Sequence, residues 1–294
     1  MSSPLRSIAV VDAESTRINI DNLVGVDESA DSESFVIVAV RCTRDDDIDL
    51  VRALVESELQ PFRHKSSSIV RYGELDRDER VERVESLLSK LGESSITWAA
   101  ITCPDNPPNR IKAAAATMAA KKSITNGLRS GDVSHGCGNT ALLHDGQYDV
   151  YSDYFDALRS LVPGHFDDGF QRNICPVYLT FLQDADRTYP QNNTADYIAG
   201  YLRDQIQHGS SNTLPEQVSE FDRSWLDPGP QPEPVYRLPV FDPVREEDLR
   251  SRVIAWLTGK RIPQDRSPTT RDPYRTLIEQ IDDTIVYQYL SEEI

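Results

Sequence analysis

The sequence predicts an α/β fold in which helices flank a mixed sheet, with a helical extension at the C-terminus. Short β-branched apolar runs alternate with longer segments in which apolar residues recur every three or four positions, the respective patterns of strands and helices. Near the N-terminus, two such runs follow each other with only a few polar residues between them, which predicts a hairpin. Later runs are separated by helix-length segments, as in open α/β sheets.

The predicted hairpin carries an acidic pair at the end of its first strand. Residues 23–30 (LVGVDESA) pass from apolar residues to Asp27 and Glu28, and residues 35–40 (FVIVAV) form the second strand. Side chains alternate between the two faces of a strand, so Asp27 and Glu28 should point to opposite faces. One of them should then lie near the core or at a site. A solvated turn is the alternative interpretation of this pair.

Two helices are predicted as an insertion at about 45–92, between the second and third strands. Acidic residues at 45–47 suit a helix N-terminus, and Leu50 and Leu54 follow at helical spacing. A second amphipathic helix is predicted over 79–91. Residues 96–103 (ITWAAITC) then form the third strand.

An Ala-rich helix predicted over 110–130 is free of acidic residues. No Asp or Glu occurs between positions 105 and 132, while half of the chain's lysines lie there. On an acidic chain this gap indicates a helix that contacts a phosphate backbone, with Lys121 and Lys122 among the contacts. The alternative is that the small residues let the helix pack closely on a sheet while its lysines stay in solvent, and both can hold together.

The fourth and fifth predicted strands also end in carboxylates. Residues 140–146 (TALLHDG) contain Asp145, and the strand at 175–182 (CPVYLTFL) is followed by Asp184 and Asp186. A helix at 151–162 is predicted to connect these two strands.

The final helix of the domain is predicted over 195–206, with Thr194 as its N-cap. In this helix Asp196, Gly200 and Arg203 share one face, and the small residue there would let another group approach closely.

Carboxylates therefore stand at the ends of three predicted strands and in the first turn of the last helix. Open α/β sheets place their sites at the carboxyl ends of strands. A pair of Mg²⁺ ions needs several carboxylates from different elements, because hard cations take oxygen ligands. The pattern predicts a divalent-metal site built from acidic side chains, namely Asp27, Glu28, Asp145 and one or both of Asp184 and Asp196.

The net charge of −17 is made up of 48 acidic residues, 30 of them Asp, against 25 Arg and only 6 Lys. An Asp-rich, Lys-poor composition resembles that of proteins from salt-loving archaea, in which high net charge maintains solubility. At roughly molar salt the Debye length is about 3 Å, so only local charge can guide a nucleic acid. No apolar stretch approaches twenty residues and no secretory signal is visible, so we expect a cytoplasmic protein without a membrane span.

The cysteines and histidines do not form a metal-binding motif. Four scattered cysteines with no Cys-x-x-Cys pair predict buried free thiols, and their spacing with His135 and His144 matches no common zinc site. His144 precedes Asp145 and is expected either to be hydrogen-bonded within the structure or to orient a water or leaving group at the site.

A change of composition near residue 209 predicts the domain boundaries. The domain at 1–208 is followed by a Pro-rich linker at 209–243 and a helical extension at 244–294. Seven basic residues between Arg250 and Arg275 form a local basic patch, which would dock either on nucleic acid or on the acidic first domain.

The order of strands, helices and acids resembles the ribonuclease H-like superfamily of metal-dependent nucleases, integrases and resolvases. Residues 24–30 (VGVDESA) resemble the Gly-Ile-Asp-Glu-Ala-Gly strand of ribonuclease HII, and residues 142–146 (LLHDG) resemble its later strand that ends in Asp-Gly. The Asp-Glu-Ser opening together with residues 195–200 (ADYIAG) is also similar to a widespread uncharacterised nuclease-like family. This second likeness is favoured because it covers both ends of the domain, roughly residues 20–207.

The resemblance implies that Asp27, Asp145 and Asp196 bind Mg²⁺ or Mn²⁺, with Glu28 and Asp184 as auxiliary ligands or positioning residues. Ala30 stands where these families have a glycine, and the Gly-Arg-Gly with which ribonuclease HII reads a ribose hydroxyl is absent. Specificity for RNA-DNA hybrids is therefore not expected.

The predicted function is a divalent-metal-dependent nuclease that hydrolyses the phosphodiester backbone of DNA or RNA by a two-metal mechanism. Lys121, Lys122 and Arg203 are the predicted phosphate contacts. A non-catalytic interaction module that retains the fold is the alternative, and phosphatase or phosphoryl-transfer chemistry at a similar carboxylate cluster is a third possibility.

Overall fold

The computed structural model describes the N-terminal strands, most of the predicted domain and a short segment beyond it. The described residues are 9–11, 17–19, 22–31, 34–43, 46–59, 75–104, 107–129, 140–145, 153–154, 157–158, 161, 177–182, 185–209, 214–227 and 240–241.

Strands and helices alternate along most of the chain. The strands are β1 (Ala9–Val11), β2 (Arg17–Asn19), β3 (Asn22–Ala30), β4 (Ser34–Cys42), β5 (Thr97–Pro104), β6 (Thr140–Asp145), β7 (Val177–Leu182), β8 (Val218–Glu220) and β9 (Val240–Phe241). The helices are α1 (Asp47–Glu56), α2 (Arg77–Gly92), α3 (Asn109–Arg129), α4 (Ala185–Thr188) and α5 (Pro190–Gln207), and a 3-10 helix spans Arg223–Leu226. Described residues between positions 153 and 161 are helical, in the segment predicted to form a helix.

The central sheet has the order β7-β6-β3-β4-β5-β8 in the described part of the chain. Strand β4 is antiparallel to both β3 and β5, whereas the β3-β6, β6-β7 and β5-β8 pairs are parallel. Helices cover both faces. The predicted α/β fold class, a mixed sheet flanked by helices, is confirmed, while the predicted helical extension at 244–294 lies outside the described residues.

The hydrophobic core has two layers, one on each side of the sheet. Strand β4 is buried along its whole length because it lies between two strands and under helices on both faces. Its Phe35 and Ile37 belong to the layer beneath α3, and its Val36 and Val38 belong to the layer beneath α1, α2 and α5. The predicted alternation of side chains therefore holds in the hairpin.

Helix α3 packs closely on the sheet through its alanines. Residues 113–116, 119 and 120 are all buried, because a side chain of one carbon lets the helix backbone approach the strands. The packing interpretation of the Ala-rich helix is therefore confirmed. The Nζ of Lys112 lies over the buried Phe35 ring, 5.0 Å from its centre, in a cation–π contact.

Helix α5 begins five residues earlier than the sequence suggested. The prediction that Thr194 caps this helix is wrong, because the helix begins at Pro190 after Tyr189, and Thr194 is fully buried within it. Proline suits a first helical position, since its φ is already helical and its missing N–H is not needed there. The polar run 191–194 is consequently packed into the protein and does not form a solvated turn.

Short strands lie near both ends of the described chain. Strand β1 pairs with β2 and β9 in a separate three-stranded sheet. Within the predicted linker at 209–243, β8 pairs with β5 and so extends the main sheet. The prolines of this segment permit the strand because they lie outside it, with Pro215 in the turn before β8.

Two of the four cysteines lie in the described residues, and both are buried free thiols as predicted. Burial raises the pKa of the Cys103 thiol to about 11, which leaves it protonated and unreactive at neutral pH. Cys137 and Cys175 lie outside the described residues. Among the helices that the structure describes, none has the length and apolarity needed to cross a bilayer.

Candidate metal centre

Asp27 and Asp145 come together because their strands are parallel neighbours. In the register of β3 and β6, Val26 lies opposite His144, so the following residues, Asp27 and Asp145, extend from the same end of the sheet. Gly25, two residues before Asp27, faces helix α5, and alternation along the strand turns Asp27 to this same face.

Helix α5 brings Asp196 to the same place. At the start of this helix, the Asn192 side-chain amide donates hydrogen bonds of 3.1 Å to the backbone carbonyls of Val26 and Leu143. One amide therefore joins the helix to the two strands that carry Asp27 and Asp145. Asp196 lies one helical turn after Asn192, and it interacts electrostatically with Asp27.

The carboxylates repel one another strongly enough to affect ionisation. Burial raises the pKa of Asp27 well above its ordinary value, and the negative charges of Asp196 and Asp145 raise it further. A hydrogen bond from the Glu28 backbone N–H to Asp27 Oδ1, at 2.7 Å, favours the ionised form but only partly offsets these effects. Asp27 is thus a half-buried acid that lies beside other acidic side chains.

The fourth acid at this place is Asp186, which the sequence-based set of site residues missed. It lies on α4, is 3 % exposed and contributes to the raised pKa of Asp27. Helix α4 is attached to β6 because the Ala185 backbone N–H donates to Asp145 Oδ1 at 3.0 Å. The sequence shows acids at 184 and 186 after the fifth strand, but spacing alone could not select between them, and Asp184 lies outside the described residues. We refer to Asp27, Asp145, Asp186 and Asp196 as the acid cluster.

Glu28 points away from the acid cluster, as alternation predicted. Its Oε2 lies 3.9 Å from Nε2 of His144, on the face of the sheet that α3 covers. Nδ1 of His144 lies 2.8 Å from the backbone carbonyl of Asp145, which can only accept, so Nδ1 carries the proton. In the neutral ring Nε2 therefore accepts from the Tyr154 hydroxyl at 2.9 Å. His144 is a buried, hydrogen-bonded residue that links Glu28 to the core.

The acid cluster offers oxygen donors of the kind that Mg²⁺ and Mn²⁺ prefer, and its concentrated negative charge suits a cation. Among the described residues, however, no three His, Cys, Asp or Glu side chains are arranged closely enough to hold a metal ion. Mg²⁺ is commonly bound by one or two carboxylates and completes its octahedron with water. The residues present therefore fit a partly hydrated divalent cation, and they do not form a closed all-protein cage.

The structure does not bring Lys121 and Lys122 to the acid cluster. Lys122 donates to the Ser219 hydroxyl of β8 at 2.7 Å and lies 5.3 Å from the Trp225 ring centre, so it joins α3 to the far edge of the sheet. The backbone carbonyl of Ser123 accepts from Thr97, the first residue of β5, which locates this end of α3 at the amino ends of β5 and β3. The acids lie at the opposite end, and the role of these lysines as phosphate contacts stays a prediction.

Arg203 lies on the same helix as Asp196, two turns further along. With Arg77 and Arg80 of α2 it lines a cavity of about 80 Å³ next to Gly200. The end of α5 is joined to the hairpin by a hydrogen bond from the Gln207 side-chain amide to Asp31. The helix thus runs beside β3 from Gly25 towards the turn, and Arg203 lies beyond the acid cluster in that direction.

Comparisons with known proteins return solved structures only: no protein-family model matches the chain, and no curated protein matches it. The chain is similar to Bst-RNase HIII in complex with Mn²⁺, with 14% sequence identity, 81% of this chain and 63% of that chain covered, and a TM-score of 0.39. It is also similar to ribonuclease H2 from Pyrococcus horikoshii OT3, with 14% identity, 86% and 99% coverage and a TM-score of 0.37.

A third similar structure is the PCNA:RNase HII complex from Archaeoglobus fulgidus, at 15% identity, 82% and 90% coverage and a TM-score of 0.34. The chain spans 63% and 66% of the two ribonuclease HIII structures to which it is similar. These likenesses concern the fold, and the roles of individual residues rest on the geometry described above.

Proposed function

We propose that this protein is a divalent-metal-dependent nuclease that hydrolyses the phosphodiester backbone of a nucleic acid. The observation that carries the proposal is the meeting of Asp27, Asp145 and Asp196, from two parallel strands and a helix, at one end of the sheet. Metal-dependent phosphoryl chemistry requires carboxylates that converge in this way from separate elements.

The partial burial of these acids and their closeness to one another distinguish a functional cluster from acids that serve only salt adaptation. Acids that serve solubility are best solvated and apart, because burial and like-charge contact both disfavour the ionised form. Asp186 is almost fully buried and Asp27 has a raised pKa, so the fold keeps these carboxylates together at a cost in stability. A divalent cation would offset that cost.

In the proposed centre, Asp27, Asp145 and Asp196 would hold Mg²⁺ or Mn²⁺ partly through water molecules bound to the ion, because no three acids among the described residues lie close enough to bind one ion directly. Asp186 would be a further carboxylate beside them. When bound, the cation would activate a water molecule and stabilise the leaving oxygen of the phosphodiester. The chain's own contribution is orientation: backbone N–H groups of Glu28 and Ala185 hold one oxygen each of Asp27 and Asp145. Glu28, whose side chain lies on the other face of the sheet, would act as a positioning residue through its backbone N–H, and Asp184 keeps its predicted auxiliary role within the proposal.

The test is Mn²⁺ binding measured by calorimetry in concentrated KCl. We expect wild type to bind Mn²⁺ and Asp27→Asn to lose that binding. Asp49→Asn is the matched control, because Asp49 is an exposed acid on α1 that contacts only a surface arginine in the described structure. An absence of Mn²⁺ binding by wild type would overturn the proposal and favour the non-catalytic interaction module.

Cleavage assays then address catalysis itself. Single-stranded and double-stranded DNA and RNA should be incubated with wild type and with Asp145→Asn and Asp196→Asn in Mn²⁺. Cleavage of at least one polymer that both substitutions abolish is the expected outcome. Mn²⁺ binding without cleavage of any polymer would contradict the nuclease assignment while leaving the metal centre intact.

A further inference from the structure

The cavity between α2 and α5 is a second polar site, distinct from the acid cluster. It is lined by three arginines, Arg77, Arg80 and Arg203, with Asp204 as its acidic residue. Its volume of about 80 Å³ is well below the roughly 300–1,000 Å³ of pockets for drug-sized molecules. A cavity of this size suits a compact anion.

The charges around the cavity leave it positive on a chain of net charge −17. Asp204 is already engaged, since its Oδ2 accepts from Arg77 Nε at 2.8 Å and its Oδ1 lies 3.4 Å from His208. Within the described residues no ion pair joins Arg80 or Arg203 to an acid. Two guanidinium groups therefore line the cavity without an ion pair to any carboxylate in the described part of the chain.

Arg203 provides an independent indication of a ligand. Its Nε is buried and has no hydrogen-bond partner among the residues that the structure describes. Buried donors almost always meet an acceptor in folded proteins, because an unsatisfied N–H loses its water without compensation. The missing acceptor is best supplied by an oxygen-rich group in the cavity.

Gly200 keeps the cavity open next to Arg203. A Cβ atom at this position would meet nothing within 4 Å, so the space beside the helix is empty there. Asp196, Gly200 and Arg203 lie on one face of α5, and the seven residues from Asp196 to Arg203 correspond to about 10 Å along the helix axis. The cavity is thus close to the acid cluster and on the same side of the sheet.

We infer that this arginine cavity binds one phosphate group of the nucleic-acid strand, next to the phosphodiester that the acid cluster would cleave. Guanidinium groups match phosphate because their parallel N–H donors meet two oxygens at once. The inference rests on the proposed function for the identity of the polymer. The same chemistry would also admit free inorganic phosphate, and the experiment separates these two sources.

The first measurement is the affinity of the full chain for a fluorescent single-stranded DNA and its RNA equivalent, by anisotropy over a range of KCl concentrations with EDTA present. Arg203→Gln and Arg80→Gln should each weaken binding several-fold. Each should also reduce the slope of log affinity against log salt by about 0.7, the value for one phosphate contact on a single strand. Arg52→Gln is the control, because Arg52 is an exposed arginine on α1 that pairs with Asp49.

The second measurement is competition by inorganic phosphate. Phosphate should displace the oligonucleotide more effectively from wild type than from Arg203→Gln at equal ionic strength. If both cavity variants bind both oligonucleotides as Arg52→Gln does, the inference is overturned. If Arg203→Gln loses phosphate binding yet keeps wild-type affinity for the oligonucleotides, the assignment to nucleic acid is overturned as well.

Further controls separate the loss of phosphate binding from misfolding and from damage to the metal centre. Arg203→Gln alters a partly buried residue, so Arg80→Gln on the other helix provides an independent variant, and thermal unfolding verifies that both fold. Both should bind Mn²⁺ as wild type does, while Asp27→Asn should retain oligonucleotide binding in EDTA. If the arginine cavity does not bind phosphate, the Mn²⁺ measurement still tests the metal centre. If the protein does not bind Mn²⁺, the oligonucleotide measurement in EDTA still tests the arginine cavity.

Discussion

Gly25 and Asn192 are in direct contact where α5 lies across β3. A Cβ atom on Gly25 would be 2.5 Å from the backbone nitrogen of Asn192 and 2.5 Å from the carbonyl carbon of Gln191. No real side chain tolerates such distances, so glycine at this position sets how close the helix and the strand can come. That separation in turn determines how close Asp196 lies to Asp27.

Gly25→Ala should destabilise the protein. The added methyl group meets backbone on the helix, which cannot rotate away as a side chain could, and overpacking of this kind typically costs about 1–3 kcal/mol. Chemical denaturation at fixed salt measures the change in unfolding free energy. Mn²⁺ affinity should fall as well, because the helix that carries Asp196 must move.

Gly200→Ala is the matched control on the same helix, and its effect should have the opposite sign. Its Cβ meets nothing within 4 Å, and replacing a helical glycine by alanine stabilises by about 0.5–1 kcal/mol. If Gly200→Ala were less stable than wild type, the structure's open space beside Gly200 would be contradicted.

Asn192→Ala should remove the connection between α5 and the two central strands. The carbonyls of Val26 and Leu143 would each lose a buried donor, and an unsatisfied buried polar group costs about 1–3 kcal/mol. Asn126→Ala, at a partly exposed position on α3, should change the unfolding free energy by less than about 0.5 kcal/mol. Equal effects of the two substitutions would show that the Asn192 bridge contributes nothing.

Asp27→Asn should stabilise the protein at neutral pH in the absence of divalent cations. The pKa of Asp27 in the folded state lies above its ordinary value of 3.8, so the folded chain binds more protons than the unfolded chain between these two pKa values. The contribution of Asp27 to stability therefore falls as pH rises through that interval. Asn keeps the oxygen that accepts from Glu28 and removes the charge.

The measurement is the difference in unfolding free energy between Asp27→Asn and wild type from pH 8 downwards, with EDTA present. We expect the variant to be more stable at pH 8 and the difference to shrink towards pH 4. In the presence of Mn²⁺, wild type should become more stable than Asp27→Asn, because only wild type binds the ion. A ligand at a hundred times its Kd stabilises a folded protein by about 2.7 kcal/mol. A pH-independent difference would show that the acids around Asp27 do not affect its ionisation.

Tyr154→Phe should destabilise the protein by about 1 kcal/mol, because Nε2 of buried His144 loses the hydroxyl that donates to it. In wild type, nitrogen NMR of the imidazole should report the neutral tautomer with the proton on Nδ1, which donates to the Asp145 carbonyl. The opposite tautomer would contradict the hydrogen bonds assigned to His144.

The sequence located most of the acid cluster because its members follow recognisable strand ends. Asp27 and Asp145 each close an apolar run, and parallel strands bring such ends together in any open α/β sheet. Alternation along β3 also predicted that Glu28 would face away from Asp27, towards what proved to be His144. These inferences depend only on local periodicity, which can be read directly from a sequence.

The features that sequence reasoning missed depend on packing between distant elements. Thr194 has the chemistry of an N-cap, but the helix continues past it to Pro190 because the polar run lies against the sheet and not in water. Asp184 and Asp186 are equivalent by spacing, and the contact of Asp186 with Asp27 depends on how α4 folds against Asp145, which no local pattern predicts. Lys122 of α3 had no local signal that it would contact Ser219 of β8.

The Asn192 bridge also sets the order in which the molecule can be completed during synthesis. The β3-β4 hairpin needs only neighbouring residues, whereas Asn192 and Val26 are 166 residues apart and Thr140 lies 118 residues from its partner Asn22. Domains generally acquire such distant contacts last, as the chain leaves the ribosome from its N-terminus. A nascent chain therefore exposes Asp27 long before Asp196 exists, and the acid cluster is assembled only when nearly the whole domain has emerged.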